Sequence, residues 1–199
     1  SSKACCEILI NSYRNSFLGK NKNKEKSTKL IASARAGNVI AGGDWSTDRL
    51  IPDLIKSAVT GRKTEVRNPS AVRPWQHVLD CLYGYLLLGG QLLNGNNLFA
   101  DSWNFGPYSS DFYTVEMLIN HCKNHWNEIE TIYTPEKANY HEAGLLVLDI
   151  SKSIHNLNWK PVWNTEIAIR KTINWYKSFY DNQNTCTQMD INEFISTIM

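Results

Sequence analysis

Apolar positions recur at helical spacing over residues 4–17, with Ala4, Ile8, Leu9, Ser12 and Tyr13 on one face and Phe17 closing it. Gly19 stops this pattern, and Lys20–Lys29 is a Lys/Asn run that reads as a solvated loop rather than a nucleic-acid arm. The apolar run from Leu30 to Ala36 predicts a buried strand, followed by a loop over 37–47. Asp48 is placed to N-cap a helix that carries Pro52 in its first turn, reaches Thr60 and ends at Gly61. Thr64–Arg67 predicts a short strand stopped by Asn68-Pro69. Trp75–Leu93 is the longest amphipathic stretch and ends at Asn94-Gly95. Further along come a strand at Trp103–Phe105, a helix at Thr114–Trp126 and a strand at Glu130–Tyr133. An apolar run at Leu145–Asp149 precedes a short helix capped by Ser151, and Thr165 caps a helix through Tyr180. The last dozen residues predict one more helix.

Strands alternating with helices indicate an α/β fold. The chain has no G-x-G-x-x-G and therefore no phosphate loop of the dinucleotide-binding kind. Its strands are also too few for a complete doubly wound sheet. At 199 residues the length suits one domain or one and a half. The first residue is serine rather than methionine, which leads to the expectation that the chain is cut from a longer protein. A net charge of +2 gives no strong field toward nucleic acid or membranes. No run of about 18 apolar residues and no signal-peptide pattern is visible. The five cysteines are odd in number and form no C-x-x-C, which argues against a disulfide framework or zinc ribbon and suits a reducing cytoplasmic setting. The seven tryptophans and nine tyrosines serve core packing, and they also suit sugar or base rings.

Candidate chemistry is concentrated in R-A-G-N-V-I-A-G-G-D-W-S-T-D-R-L-I-P-D, residues 35–53, where a strand opens through Gly and Asn into a helix. Such a junction, beyond a strand's carboxyl end, is where α/β sheets place ligands. Asn38 is either a ligand contact or a turn asparagine. Arg49, at the start of the helix, either joins the helix amides in an anion site or pairs with Asp48 and Asp53 on the surface. Arg73 lies in N-P-S-A-V-R-P-W-Q-H-V, where Trp75 packs and His77 caps or packs. Asn104 either supports a site or fills the core. His121 and His125 stand four apart on a helix with no third metal ligand identified, so no metal is assigned.

The set S-S-K-A, R-A-G-N-V-I, G-G-D-W, D-R-L-I-P-D, R-P-W-Q-H-V, W-N-F-G-P, His141-Glu142-Ala143 and L-x-W-x-P-x-W resembles the CDP-glucose 4,6-dehydratases, in the extended short-chain dehydrogenase/reductase family. The similarity runs from Ser1 to about Tyr180; Ala41 departs from a common glycine, and the Lys20–Lys29 run is longer than usual. It implies an α/β fold: the C-terminal part of an NAD-binding Rossmann-like fold plus a small α/β substrate-binding domain. Residues 1–47 would be the remainder of the dinucleotide-binding domain and 48–180 mainly the sugar-nucleotide region, interleaved with the last Rossmann elements. Residues 181–199 form a tail of unassigned role. Lys3 would be the catalytic lysine of Y-x-x-x-K, its Tyr lying two positions before Ser1. Lys3, Ala36 and Asn38 would contact NAD, and Asn38, Arg49, Leu50 and Arg73 would contact the sugar nucleotide, CDP-glucose or a relative. The implied reaction is an NAD-dependent dehydration to CDP-4-keto-6-deoxyglucose in deoxysugar, O-antigen-type biosynthesis. It would be carried out by a cytoplasmic homodimer with the helix at 4–17 in its interface, and the chain alone would be inactive. A sugar-nucleotide epimerase and a non-catalytic sugar-nucleotide-binding fragment remain as alternatives.

Overall fold

The computed structural model describes residues 2–18, 29–134 and 143–199. Residues 20–28 of the Lys/Asn run, and His141 and Glu142 of the His141-Glu142-Ala143 motif, lie outside the described residues. The first helix, α1 (Ser2–Tyr13), passes into a single π-turn at Arg14–Leu18. Among the described residues nothing covers its apolar face: α1 buries no residue, and Ile8, Leu9 and Tyr13 stand exposed.

Four strand pairs follow. β1 (Ser33–Ala36) runs parallel to β6 (Ser102–Phe105), and β2 (Asn38–Ile40) runs parallel to β5 (Trp75–His77). β3 (Lys63–Val66) runs parallel to β8 (Glu130–Tyr133), and β4 (Val72–Arg73) pairs antiparallel with β7 (Tyr113–Thr114). The helices are α2 (Leu50–Thr60), α3 (Val78–Leu93), α4 (Val115–His125), α5 (Ser151–Leu157), α6 (Thr165–Asn182) and α7 (Thr187–Ile198). The α/β reading holds, with parallel pairs joined by helical crossovers.

Two apolar clusters hold these elements. One packs Ile51, Leu54 and Ile55 of α2 against Leu118, Ile119 and Cys122 of α4 and Ala168, Ile169 and Ile173 of α6. The other packs Leu88 of α3 and Leu157 of α5 against Trp103 and Phe105 of β6, with Trp159 beside them. Trp103, Phe105 and Trp159 are almost wholly buried, so much of the aromatic content is core.

Several local expectations change. The strand expected from Leu30 begins only at Ser33, where pairing with Ser102 starts. The loop expected over 37–47 contains β2, because a partner strand 37 positions further on supplies its hydrogen bonds (Asn38 opposite Trp75). The stretch Trp75–Leu93 divides into β5 and α3, and His77 caps α3 by accepting from the Leu79 amide at 3.3 Å. Asp48 is not the cap of α2: it takes a left-handed φ of 59°, and Arg49 occupies the N-cap position without a side-chain hydrogen bond. Ser151 is the first residue of α5 rather than its cap, and the Asp149 carboxylate accepts from its amide at 2.9 Å. Asn164, not Thr165, caps α6. Thr165 is buried instead, its amide donating to the Asp111 carboxylate and its hydroxyl to Trp75 O. The C-terminal helix forms, tied to α6 by a buried Lys171–Asp190 pair at 3.0 Å.

The start of α3 carries two buried titratable groups with opposite consequences. Burial pushes the Asp80 carboxyl up to about 7, against hydrogen bonds from the Val162 and Trp163 amides that favour its ionised form. Burial also pushes His77, edge-on to Trp163, down to about 4, with the Lys171 charge adding to the effect. The Asp80 contribution to stability is fully present below its unfolded value near pH 4 and is lost as pH rises through about 7. That of His77 is present above its unfolded value near pH 6.5 and is lost as pH falls toward about 4. The two offset each other between pH 5 and 6.5. We therefore expect Asp80→Asn to lose stability as pH falls across that window and His77→Gln to lose it as pH rises, each by up to ~1.4 kcal/mol per pH unit. Urea unfolding at several pH values measures both slopes, and equal slopes in the two variants would contradict the assignment.

Candidate functional site

The site is organised by one crossing of chain segments. β1 pairs with β6 as far as Ala36 opposite Phe105, and one residue later β2 pairs with β5, starting at Asn38 opposite Trp75. Gly37 makes the change of partner: its amide donates to Phe105 O at 3.1 Å, and the Asn38 amide donates to Pro74 O at 2.8 Å. A Cβ at Gly37 would stand 2.3 Å from that same Pro74 oxygen, so only glycine fits. Pro74 in turn separates Arg73 on β4 from Trp75 on β5. The crossing thus places Asn38 and Arg73 on neighbouring backbone.

After β2 the chain turns through Gly42 and Gly43, the latter at φ 85°, and the side chains of α6 grip the loop. The Trp175 ring fills the space beside Gly42, and Trp45 meets Trp175, Tyr176 and Phe179 edge-on or tilted. The Asp44 carboxylate accepts from the Ser46 amide at 2.9 Å. Hydrogen bonds from Ser46, with a smaller push from Arg49, hold that carboxyl below its ordinary range. Arg49 stands 4.0 Å from Asp44 and is well exposed, so the pair contributes little to stability and the guanidinium is available to a ligand. It sits at the N-cap of α2, where its own side chain makes no capping hydrogen bond to the first-turn amides.

α1 forms a further wall. Glu7, one helical turn beyond Lys3, accepts from Ser33 Oγ at 2.8 Å and Ser102 Oγ at 2.6 Å and lies 3.6 Å from Arg35. The Ser102 hydrogen bond leads the causes that keep its carboxyl below the usual range, working against burial. This contact fastens α1 across the β1–β6 pair and turns Lys3 toward the same space.

All six residues singled out from the sequence, Lys3, Ala36, Asn38, Arg49, Leu50 and Arg73, line a single open cleft of about 1550 Å³. Eight Lys and Arg side chains against five Asp and Glu side chains line it, an excess of positive charge in a chain that is nearly neutral overall. Arg73 is buried in its floor, with Nη1 donating to Val72 O at 2.9 Å. The remaining candidates lie elsewhere. Asn104 braces the core by donating to Asp149 O at 2.9 Å, and His121 packs against the Tyr113 ring. Among the described residues, no group of three side chains is arranged to hold a metal. Sequence reasoning missed Glu7, Arg35 and Tyr176. The i, i+4 spacing from Lys3 was a signal for Glu7; nothing local marks the other two.

No protein-family profile matches the chain. The chain is 36% identical over 198 residues to CDP-glucose 4,6-dehydratase of Salmonella typhimurium, which covers 98% of this chain and 55% of that protein. Among solved structures it superposes on UDP-glucuronic acid 4-epimerase of Bacillus cereus, solved with UDP-glucuronic acid and NAD, with a TM-score of 0.70 and 18% identity over 90% of this chain and 52% of that one. For dTDP-glucose 4,6-dehydratase of Bacillus anthracis, solved with NAD, the TM-score is 0.65 and the identity 17%, over 90% of this chain and 52% of that one. This is the fold of the extended short-chain dehydrogenases/reductases. The chain spans about half the length of the relatives it matches. Among the described residues, no helix is long and apolar enough to cross a membrane.

Proposed function

We propose that the protein is an NAD-dependent sugar-nucleotide 4,6-dehydratase acting on CDP-glucose, and that this chain supplies the nucleotide-sugar side of its site. The observation that supports this most is the convergence of Lys3, Asn38, Arg49 and Arg73, drawn from four separate segments, on one cationic cleft. A sugar nucleotide presents a doubly charged pyrophosphate, which two arginines and a helix start are suited to hold. Similarity to the Salmonella dehydratase supports the reaction and the cytidine nucleotide.

The residues present fit the nicotinamide end of NAD, since Lys3 and the carboxyl end of β1 at Ala36 open onto the same cleft. Held at its nicotinamide end by Lys3 and the carboxyl end of β1, NAD would supply reversible hydride-transfer chemistry to the glucose ring. Lys3 offers an ammonium that hydrogen-bonds a ribose hydroxyl and favours the deprotonated form of an adjacent phenol. Asn38 orients the pyrophosphate, Arg49 and the Leu50 amide bind it at the start of α2, and Arg73 neutralises it from the floor. The pyrophosphate of NAD itself has no Gly-rich loop in this chain to hold it. We infer a cytoplasmic homodimer serving deoxysugar synthesis.

The deciding experiment incubates the full protein with CDP-glucose and NAD and follows product mass. Loss of one water is expected. An unchanged mass with an inverted C4 would favour an epimerase, and binding without turnover a sugar-nucleotide-binding protein.

A further inference from the structure

The loop that carries Arg49 to the cleft is held by two adjacent residues of α6 in two different ways. Tyr176, wholly buried, reaches the Asp44 backbone with its hydroxyl. It accepts from the Asp44 amide at 2.9 Å and donates to the Asp44 carbonyl at 2.5 Å. Burial pushes this phenol up to about 12, so it keeps the proton that the second bond requires. Trp175 presses its ring on the preceding turn, so closely that a Cβ at Gly42 would lie 2.1 Å from it. The ring is fixed from behind: its Nε1 donates to Thr187 Oγ1 at 2.7 Å, at the start of α7. α7 is itself tied to α6 through the Lys171–Asp190 pair, while its buried Phe194 packs on Tyr83 and Trp163. A continuous set of contacts therefore runs from the C-terminal helix through α6 to Asp44. From Asp44 it continues to Arg49, 4.0 Å away across the short turn that Ser46 stabilises.

We propose that Trp175 and Tyr176 are positioning residues for the Arg49-bearing loop, and that α7 serves to brace them. Neither lines the cleft, and the further anchors of Trp45, on Phe179 and Tyr180, belong to the same helix. Asp48, a non-glycine residue, adopts left-handed backbone at φ 59°, a conformation that surrounding contacts must hold. The role rests on reading the cleft as a sugar-nucleotide site. It assigns residues 181–199 a function through the loop rather than through contact with ligand.

The test uses the full protein with CDP as the probe. Tyr176→Phe keeps the ring and removes both hydrogen bonds to Asp44. Hydrogen exchange without ligand is expected to quicken across residues 42–49 and to stay unchanged in α2 and α4. The affinity for CDP, by calorimetry, is expected to fall about tenfold with little change in Tm. Thr187→Val, at an exposed position, serves if Tyr176→Phe does not fold. It is expected to quicken exchange at Gly42 and Gly43, and Thr187→Ser to restore it. Unchanged exchange over 42–49 in these variants overturns the proposal, as does a lowered Tm with unchanged CDP affinity. If the unsubstituted protein binds no CDP, the sugar-nucleotide reading falls, while the exchange data still decide whether α6 holds the loop.

Discussion

Arg73→Gln is expected to weaken CDP-glucose binding by about a hundredfold, the loss that follows from removing a charge-assisted contact worth ~2–3 kcal/mol. The size of the effect comes from its placement. Arg73 is nine-tenths buried on the cleft floor, where water competes little and a phosphate charge meets a less screened guanidinium. Arg49, mostly exposed at the rim, is expected to matter less, so Arg49→Gln should cost about tenfold or under. Calorimetry with CDP-glucose on both variants measures the ranking. Circular dichroism and Tm control for folding, since glutamine must also replace the bond from Nη1 to Val72 O. Equal losses at the two positions, or a larger loss at Arg49, would move the pyrophosphate to the rim.

Gly37→Ala carries the second large effect. The added methyl meets a backbone oxygen, Pro74 O, at 2.3 Å, and backbone has no rotamer through which to escape. Relief requires the starts of β2 and β5 to separate, which breaks the Asn38 amide bond to Pro74 O and strains the Gly37 amide bond to Phe105 O. The cost is expected to be about 3 kcal/mol, a fall in Tm on the order of 10 °C. Because the same crossing sets Asn38 beside Arg73, binding of CDP-glucose should weaken as well, even at temperatures where the variant is folded. Gly61→Ala is the contrast. Nothing lies within 4 Å of a Cβ there, so its cost comes only from the left-handed φ of 67° and should leave binding untouched. Thermal melts and calorimetry on the pair separate a steric effect at the crossing from a general cost of losing glycine.

Much of the fold was legible in local pattern. β8 at Glu130–Tyr133, α4 after its Thr114 cap and the stop of α2 at Gly61 lie where periodicity and turn residues put them. His77 was read as capping or packing, and it does both. The candidate site was legible in a narrower sense. Asn38 and Arg49, at a strand–loop–helix junction, suited an anion by residue type, the family resemblance singled out Lys3 and Arg73, and the structure gathers all four in one cleft. Glu7, Arg35 and Tyr176 were not legible. Each matters through a partner far along the chain, and no window around it contains that partner.

The sequence by itself determined which segments are helical, where glycine and proline interrupt them, and which side chains have the chemistry for a phosphorylated ligand. These follow from short-range sterics and from residue type, which act within a few positions. Tertiary structure alone decided the rest. It made a strand of Asn38–Ile40, because Trp75–His77 supplies its hydrogen bonds. It moved the cap of α6 to Asn164 by giving Thr165 to Asp111 and Trp75. Among the described residues it left the apolar face of α1 uncovered, though the pattern marked it for burial. It drew Arg49 and Arg73, 24 positions apart, into one cleft through the crossing at Gly37. Pairing, burial and convergence are properties of long-range contacts, and a residue's neighbours in sequence do not specify its neighbours in space.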